Sequence, residues 1–220
     1  AHKAVGLSVE QPLAFYRNNL LSLINLLQCC VEAKCNNFVF SSSCSVYADP
    51  DKLPIDENAP VKTAKSPYGN TKKIGEEIIT DTVKSSSLQA VSLRYFNPVG
   101  SHDSALIGEL PTTMPLNVMP IITQVAIGKR KQFVVFGNDY PTPDGSCIRD
   151  YIHVVDVAKA HVTAVMRLLN KKNKTAYEVF NLGTGKGFSV LELIHAFEKT
   201  TGQKLNYTIE GRRAGDVTAV

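Results

Sequence analysis

Apolar residues recur at helical spacing early in the chain and then give way to short apolar runs. Between residues 13 and 31 they return every three or four positions, which predicts an amphipathic helix. Ser8 and Gln11 have the spacing of a capping box, and Pro12 suits an early helical position. We therefore expect this helix to begin near Pro12.

Short apolar runs alternate with helical patterns through the rest of the chain. The predicted strands are residues 38–40, 88–96, 133–136 and 177–182, and the predicted helices are residues 67–84, 120–127 and 155–169. Asn97–Pro98 is expected to end the second strand. Ser189 and Glu192 cap a further helix. This order predicts a parallel sheet with right-handed crossovers, covered by helices.

The segments between these elements read as turns and loops. Residues 49–65 contain three prolines, residues 101–120 are irregular, and residues 137–154 open with turn residues. Arg149 precedes Asp150, which is compatible with a local ion pair. The glycines at 183, 185 and 187 lack the spacing of a dinucleotide fingerprint, so they predict a tight strand-to-helix turn.

Composition restricts the functional classes. The 220 residues suit one domain, or one with a small appendage, and 44% are hydrophobic. A net charge of +4 fits an anionic small ligand but is too weak to indicate nucleic acid. No apolar run suits a membrane span. Five cysteines without CxxC spacing argue against disulfides or a metal site and favour a reduced, cytoplasmic protein. The chain starts without methionine, and we expect it to be a fragment.

The clearest candidate for chemistry is Tyr68, four residues before Lys72. Pro67 and the capping residue Ser66 predict a helix there, and positions four apart share a helical face. A lysine charge about 4 Å from the phenol is worth roughly 4 kcal/mol, enough to lower a tyrosine pKa by about three units. The pair could instead be a packed ring and a solvated charge.

Three serines at residues 41–43 follow a predicted strand, either as a ligand-binding edge or as a polar loop.

Six stretches together resemble the UDP-galactose 4-epimerase family of the extended short-chain dehydrogenase/reductase superfamily. They are SSS at 41–43, YGNTK at 68–72, RYFNPVG at 94–100, FGNDYPTPDGSCIRDYIHV at 136–154, NLGTG at 181–185 and RRAGD at 212–216. The resemblance implies part of a doubly wound, Rossmann-type parallel sheet with an interleaved smaller substrate-binding lobe. Residues 1–98 would belong to the NAD-binding domain and 99–220 to the substrate region, with about 151–190 returning to the sheet. The family's N-terminal Gly-rich NAD loop is not among these residues.

The resemblance implies an isomerase that binds NAD and a UDP-hexose and inverts C4 through a transient 4-keto sugar. Tyr68 would be the base, with Lys72 lowering its pKa and Ser43 holding the reacting hydroxyl. The implied cofactor-binding residues are Lys3, Asn18, Ser41, Ser42, Ser43, Tyr68, Lys72, Tyr95 and Phe96. The implied substrate-binding residues are Ser43, Tyr68, Asn97, Asn117, Val118, Val134, Val135, Phe136, Arg149, Arg213, Asp216 and Val220.

Two positions depart from the family pattern. Ala48 stands where the family usually has glycine, so the turn there is expected to differ. Val220 is small where the family carries a residue lining the hexose pocket, which leaves room for an N-acetyl group.

The sequence leaves open two other functions and the oligomeric state of the protein. A nucleotide-sugar 4,6-dehydratase would need carboxylates where Cys44 and Ser45 follow Ser43. A non-catalytic NAD-sensing or interaction module would not need Tyr68 and Lys72. The family commonly forms homodimers through paired helices, and residues 13–31 and 74–83 could serve.

Overall fold

The structure, a computed structural model, describes residues 1–111, 115–213 and 216–220. The chain divides into two compact units. The first contains Ala1–Phe96 and Asp156–Gly183, and the second contains Asn97–Val155 and Thr184–Val220. Residues 214 and 215 of the RRAGD stretch, and residues 112–114 of the predicted irregular segment, lie outside the described residues.

The described residues form six α-helices, eight strands and one short 3₁₀ helix, Cys44–Tyr47. The helices are α1 Val5–Glu10, α2 Pro12–Glu32, α3 Pro67–Ser85, α4 Val118–Ala126, α5 Val154–Leu169 and α6 Val190–Thr201. The strands are β1 Asn37–Ser41, β2 Gln89–Tyr95, β3 Asn97–Val99, β4 Phe133–Phe136, β5 Ile148–His153, β6 Tyr177–Leu182, β7 Gly187–Ser189 and β8 Tyr207–Glu210. No helix of the described segments is both long and apolar enough to cross a membrane.

The first unit is built on a parallel sheet with the strand order β1-β2-β6. Residues from α2 and α3 pack with Leu88 and Ala90 to form one core cluster. Ala164 and Leu168 of α5 pack with Val91 and Leu93 in another. Val91 and Ala90 are neighbours in β2 and point to opposite faces, so helices cover both sides of the sheet. The predicted α/β fold with a parallel sheet is confirmed.

The amphipathic helix α2 begins where the sequence predicted, although its cap differs. The buried stripe is Phe15, Asn19, Leu23 and Leu27, each four residues from the last. Ser8 does not cap this helix, because Ser8 lies inside the short helix α1 and its hydroxyl donates to the Val5 carbonyl over 2.6 Å. The capping-box prediction was therefore wrong.

The second unit contains two smaller groups of strands, in the orders β3-β5-β7 and β4-β8. Its core joins α4, α6 and β4 through Ile122, Phe133, Val135 and Ile194. Asn97 opens β3 and does not merely end β2, which corrects the sequence-based boundary. Strands β5, β7 and β8 were not predicted.

The helix α6 has the predicted capping box. Ser189 Oγ accepts the Glu192 N–H over 3.0 Å, and the Glu192 carboxylate accepts the Ser189 N–H over 2.8 Å. The two reciprocal bonds satisfy amides that the first helical turn cannot pair internally.

Candidate functional site

Tyr68 lies in the first turn of α3, at the position that the sequence predicted. Ser66 caps this helix, since its hydroxyl accepts the Gly69 N–H over 3.2 Å, and Pro67 is the first helical residue. The cap fixes where the helix starts, and it thereby fixes which side chains face the end of β1.

Lys72 is buried beneath Tyr68, with a relative exposure of only 7%. Its ammonium donates to the Ser41 carbonyl over 2.7 Å and lies 5.1 Å from the Phe40 ring centroid and 5.8 Å from the Tyr68 ring centroid. Desolvation by burial lowers the pKa of Lys72 from 10.5 to about 8. The cation is therefore held on β1 as well as beside the phenol.

The Tyr68 phenol does not have the lowered pKa that the spacing predicted. Burial raises the pKa of Tyr68, and the charge of Tyr95 acts in the same direction. A hydrogen bond with Ser43 lowers the pKa and only partly offsets burial. The prediction placed the Lys72 charge about 4 Å from the phenol, whereas its ammonium lies 5.8 Å from the Tyr68 ring centroid and donates to the Ser41 carbonyl.

The three serines each make a different contact at the end of β1. The Ser41 carbonyl accepts from Lys72, and Ser42 Oγ donates to Glu76 over 2.5 Å. Ser43 Oγ accepts from the N–H of Ser45 over 3.2 Å, which starts the 3₁₀ helix. The segment is therefore an organised edge of the sheet and not a loose polar loop.

The turn after the 3₁₀ helix has a backbone conformation that glycine usually adopts. Ala48 has φ 55° and ψ −114°, the angles of the first central residue of a type II′ turn. The chain thus keeps a glycine-like turn with an alanine, at the cost of backbone strain.

An ion pair beneath the serines was missed by the sequence analysis. Glu76 and Arg94 are 7% and 6% exposed, and their contacts are Arg94 Nε to Glu76 Oε1 at 2.9 Å and Nη2 to Oε2 at 2.5 Å. Burial alone would lower the pKa of Arg94, but the Glu76 hydrogen bonds and charge raise it. Arg94 also donates to the Tyr47 hydroxyl over 2.8 Å, and that hydroxyl donates to Asn181 over 2.8 Å. The sequence did contain one sign of this ion pair: Glu76 follows Lys72 by four residues and so lies on the same face of α3.

His161 also reaches this edge and was not predicted. Its Nδ1 lies 2.8 Å from the Val157 carbonyl, which can only accept, so Nδ1 carries the hydrogen. In the neutral ring, Nε2 then accepts from Ser41 Oγ over 2.8 Å. The imidazole lies 6.2 Å from the Tyr95 ring and so links α5 to the ends of β1 and β2.

Asn18, predicted to contact a cofactor, is half-buried on α2 and donates to Asn19 Oδ1 over 3.0 Å. Asn19 is buried, accepts the His2 N–H over 2.7 Å and donates to Thr71 Oγ1 over 3.1 Å. The sequence analysis did not identify Asn19, which connects α2 to α3 through this hydrogen bond. Lys3 is exposed and has a partner of its own in the chain.

Tyr95 and Phe96 end β2 in the same unit as the three serines. Both are half-buried, and the Phe96 N–H donates to the Leu182 carbonyl over 3.1 Å. The first unit therefore contains all the residues predicted to bind a cofactor.

The second unit contains a cluster of charged and aromatic side chains from the predicted substrate set. Arg213 donates to Asp216 over 2.9 Å, and its guanidinium lies 5.3 Å from the Phe136 ring centroid. Arg149 lies 3.6 Å from the same carboxylate and donates to the Val217 carbonyl over 2.9 Å. Two arginines and one aromatic ring thus surround a single carboxylate.

The remaining predicted substrate residues are spread through the second unit. Val135 is 1% exposed and belongs to the core, so its side chain is not available to a ligand, while Val134 points to the other face of β4. Asn117 donates to Glu109 over 3.1 Å just before Val118 begins α4. The others lie beside β5: Asn97 pairs with Tyr151, and the Val220 carbonyl accepts the Asp150 N–H over 3.0 Å.

The glycine-containing turn after β6 is closed by a carboxylate. Asp150 accepts the N–H of Thr184 over 2.9 Å, the Thr184 hydroxyl over 2.7 Å and the N–H of Gly185 over 2.8 Å. A phosphate loop would present such N–H groups to its ligand. The predicted tight turn follows β6, but it leads into strand β7 and not directly into α6, so Gly187 lies in a strand and the strand-to-helix interpretation was wrong there.

Comparison with known proteins gives consistent matches. Residues 1–183 match the model of the NAD dependent epimerase/dehydratase family. The chain is 50% identical over 218 residues to a UDP-glucose 4-epimerase of Drosophila melanogaster, covering 99% of this chain and 62% of that protein. The chain therefore spans about 62% of the length of this relative.

Solved structures agree with this match. A UDP-glucose 4-epimerase from Bifidobacterium longum in complex with NAD+ and UDP has a TM-score of 0.93 and 45% identity, over 100% of this chain and 64% of that one. A UDP-glucose 4-epimerase from Stenotrophomonas maltophila with bound NAD and formylated UDP-arabinopyranose has a TM-score of 0.94 and 47% identity, over 100% and 64% respectively.

Proposed function

Because this chain belongs to the NAD dependent epimerase/dehydratase family, we propose that it supplies the catalytic residues of an NAD-dependent isomerase that interconverts UDP-galactose and UDP-glucose. The observation that carries this proposal is the meeting of Ser43, Tyr68 and Lys72 at the carboxyl end of β1. A phenol beside a hydroxyl, with an ammonium 5.8 Å from the ring centroid, can hold a sugar hydroxyl and accept its proton.

The residues of the first unit fit NAD. Lys72 has three N–H donors and uses one on the Ser41 carbonyl, which leaves two for the hydroxyls of a ribose. The half-buried amide of Asn18 and the rings of Tyr95 and Phe96 add polar and flat surfaces. When bound, NAD would take hydride from C4, return it to either face of the planar ketone, and bring a positive charge near Tyr68.

Tyr68 would accept the proton of the 4-hydroxyl, which Ser43 holds by a hydrogen bond. Burial raises the pKa of Tyr68, so the phenol needs positive charge nearby before it can act as a base at neutral pH. Lys72 would add to the positive charge that bound NAD brings only when it is protonated, and its pKa of about 8 keeps it mostly protonated at pH 7. Because burial lowers the pKa of Lys72, the reaction should slow as the pH rises above about 8 and Lys72 loses its charge.

The second unit would bind the UDP-sugar. Arg149 and Arg213 can turn from Asp216 to the diphosphate, which favours bidentate guanidinium donors, and Phe136 offers a flat apolar surface to uracil. Asn97 and Asn117 can donate amide hydrogens to phosphate or sugar oxygens.

Further expectations for the substrate pocket concern two more positions. Val118 and Val134 would add apolar contacts. Val220 would leave room for an N-acetyl group, so that the N-acetylated UDP-hexosamines would also be converted.

We propose a cytoplasmic homodimer as the assembled form. Exposed leucines and isoleucine on α2 support a helical interface: Leu13 is 82% exposed, Leu21 49% and Ile24 41%. Burial of such residues against a second copy would remove apolar surface from water. Sedimentation of the natural polypeptide would show a dimer that charged substitutions at Leu21 and Ile24 dissociate.

Product analysis tests the reaction. The natural polypeptide that contains this chain is incubated with NAD and UDP-galactose, and the sugars are identified by NMR. We expect a mixture of the galactose and glucose forms. A stable keto sugar that has lost water would instead identify a 4,6-dehydratase, although Cys44 and Ser45 offer no carboxylate for that elimination. No conversion with tight NAD binding would refute both enzymatic functions.

A further inference from the structure

The helix α3 presents a third polar residue on the face that carries the proposed catalytic pair. Glu76 follows Lys72 by four residues, as Lys72 follows Tyr68, so all three share one side of the helix. The Glu76 carboxylate is buried, and its Oε1 accepts from Ser42 Oγ over 2.5 Å. Ser42 is itself fully buried.

The three serines and the three helix residues match one to one. Lys72 donates to the carbonyl of Ser41 and Glu76 accepts from Ser42, while the Ser43 side chain lies beside the Tyr68 phenol. Because consecutive residues of an extended segment point in different directions, one contact alone would leave the segment free to rotate. The Glu76 contact fixes the middle residue, and so it sets where the Ser41 carbonyl and the Ser43 hydroxyl lie.

Arg94 fixes the carboxylate in turn. Its guanidinium donates to both Glu76 oxygens, at 2.9 and 2.5 Å, and a third donor reaches Tyr47 over 2.8 Å. A buried ion pair adds little net stability over an apolar pair of similar volume. The fork geometry instead gives a rigid orientation, since two parallel hydrogen bonds leave the carboxylate no rotational freedom.

We propose that Glu76, oriented by Arg94, is a positioning residue that holds Ser42 and thereby sets the geometry of Ser43, Tyr68 and Lys72 for the hydride-transfer reaction. This inference rests on the proposed epimerase function. It places Glu76 and Arg94 outside direct contact with substrate or cofactor.

The test compares variants of the natural polypeptide that contains this chain. Ser42→Ala removes only the hydroxyl that joins the serine segment to Glu76. Glu76→Met with Arg94→Met removes both charges together, so that no unpaired buried charge is left to unfold the protein. Glu77→Gln is the matched control, because Glu77 is the next residue on α3 and its side chain is 60% exposed.

We expect Ser42→Ala to lower kcat about tenfold with little change in KM, the effect of losing one hydrogen bond to a charged group. The acidic limb of the pH profile of kcat should move, since Tyr68 depends on the placement of Ser43 and Lys72. The Glu76→Met/Arg94→Met protein should fold and show a similar loss of kcat, and both it and the Ser42→Ala protein should bind NAD more weakly than the Glu77→Gln protein. The Glu77→Gln protein should match wild type throughout.

The outcomes separate the two proposals. Wild-type kcat and an unmoved pH profile in a folded Ser42→Ala protein and in the double variant would overturn the positioning role. A wild-type protein without epimerase activity would refute the proposed function. NAD affinity then decides the inference: weaker binding in both the Ser42→Ala and double variants supports it, and affinity equal to that of Glu77→Gln overturns it.

Discussion

Replacing Lys72 with methionine measures what it costs the fold to bury this ammonium group. The residue is 7% exposed, and burial lowers its pKa from 10.5 to about 8. Methionine has a similar length and no charge, so it can fill the same space. The substitution should therefore remove the pH dependence that Lys72 gives to stability while leaving α3 packed.

The sign follows from proton binding. Between pH 8 and 10.5 the unfolded chain keeps the Lys72 proton and the folded chain releases it, so the stability of the wild type rises with pH. The full interval corresponds to about 3 kcal/mol, and the part between pH 7 and pH 9.5 to about 2 kcal/mol. Below pH 8 the contribution is flat. Above pH 10 the raised pKa of Tyr68 acts in the opposite sense, which sets the upper limit of the experiment.

The assay is urea unfolding of wild type and variant at several pH values from 7 to 9.5. We expect the wild type to gain about 2 kcal/mol relative to Lys72→Met across this range. Lys73→Met is the control, because its side chain is 32% exposed on the same helix, and it should run parallel to wild type. A constant difference between wild type and Lys72→Met at all pH values would refute the reasoning.

Three other substitutions test separate parts of the structure. Tyr68→Phe should lower the epimerase turnover of the natural polypeptide at least 100-fold, as loss of a general base does, while NAD affinity stays near wild type; unchanged conversion of UDP-galactose would refute the role of the phenol. Ala48→Gly should raise stability by about 1 kcal/mol, because glycine adopts φ 55° without strain, and thermal unfolding would reveal a lower melting temperature if the reasoning is wrong. Ser189→Ala should cost about 1 kcal/mol in urea unfolding through loss of the hydroxyl that caps α6 and donates to Asp144, and Ser189→Thr should recover most of it; equal losses would exclude the hydroxyl as the cause.

The fold of the first unit could largely be predicted because its signals are local. Apolar periodicity and Pro12 place α2, the Ser66 cap and Pro67 place α3, and short, largely apolar runs place β1, β2 and β6. The resemblance to a family added the sheet type and the role of Tyr68. These features depend on residues that are near one another in sequence.

The missed elements depend on partners distant in sequence. Strand β5 carries Arg149 and Asp150 in its middle, and these are tolerated because Asp150 binds the turn at Thr184 and Arg149 binds the segment at Val217. Strand β8 is mostly exposed and exists through its pairing with β4. No local periodicity in the sequence predicts either strand.

The electrostatics of the site also could not be predicted from spacing. The Tyr68–Lys72 pattern indicates which groups meet, but burial decides their pKa values, and burial depends on the whole unit. Asn19 is a second case in which spacing was not enough. Asn18 and Asn19 are the same residue type at adjacent positions, and only the fold shows that Asn19 is the buried one that bonds to α3.

The chain passes between the two units three times, and this has a consequence for its synthesis. Strand β2 pairs with β6, from Ala90 opposite Tyr177 to Tyr95 opposite Leu182. The second edge of β2 therefore has no partner until more than eighty further residues have been made. During that interval a growing chain carries an open, apolar strand edge, which invites pairing with another nascent chain. Released chains that end between residues 96 and 177 should therefore aggregate, whereas released chains that include β6 should not.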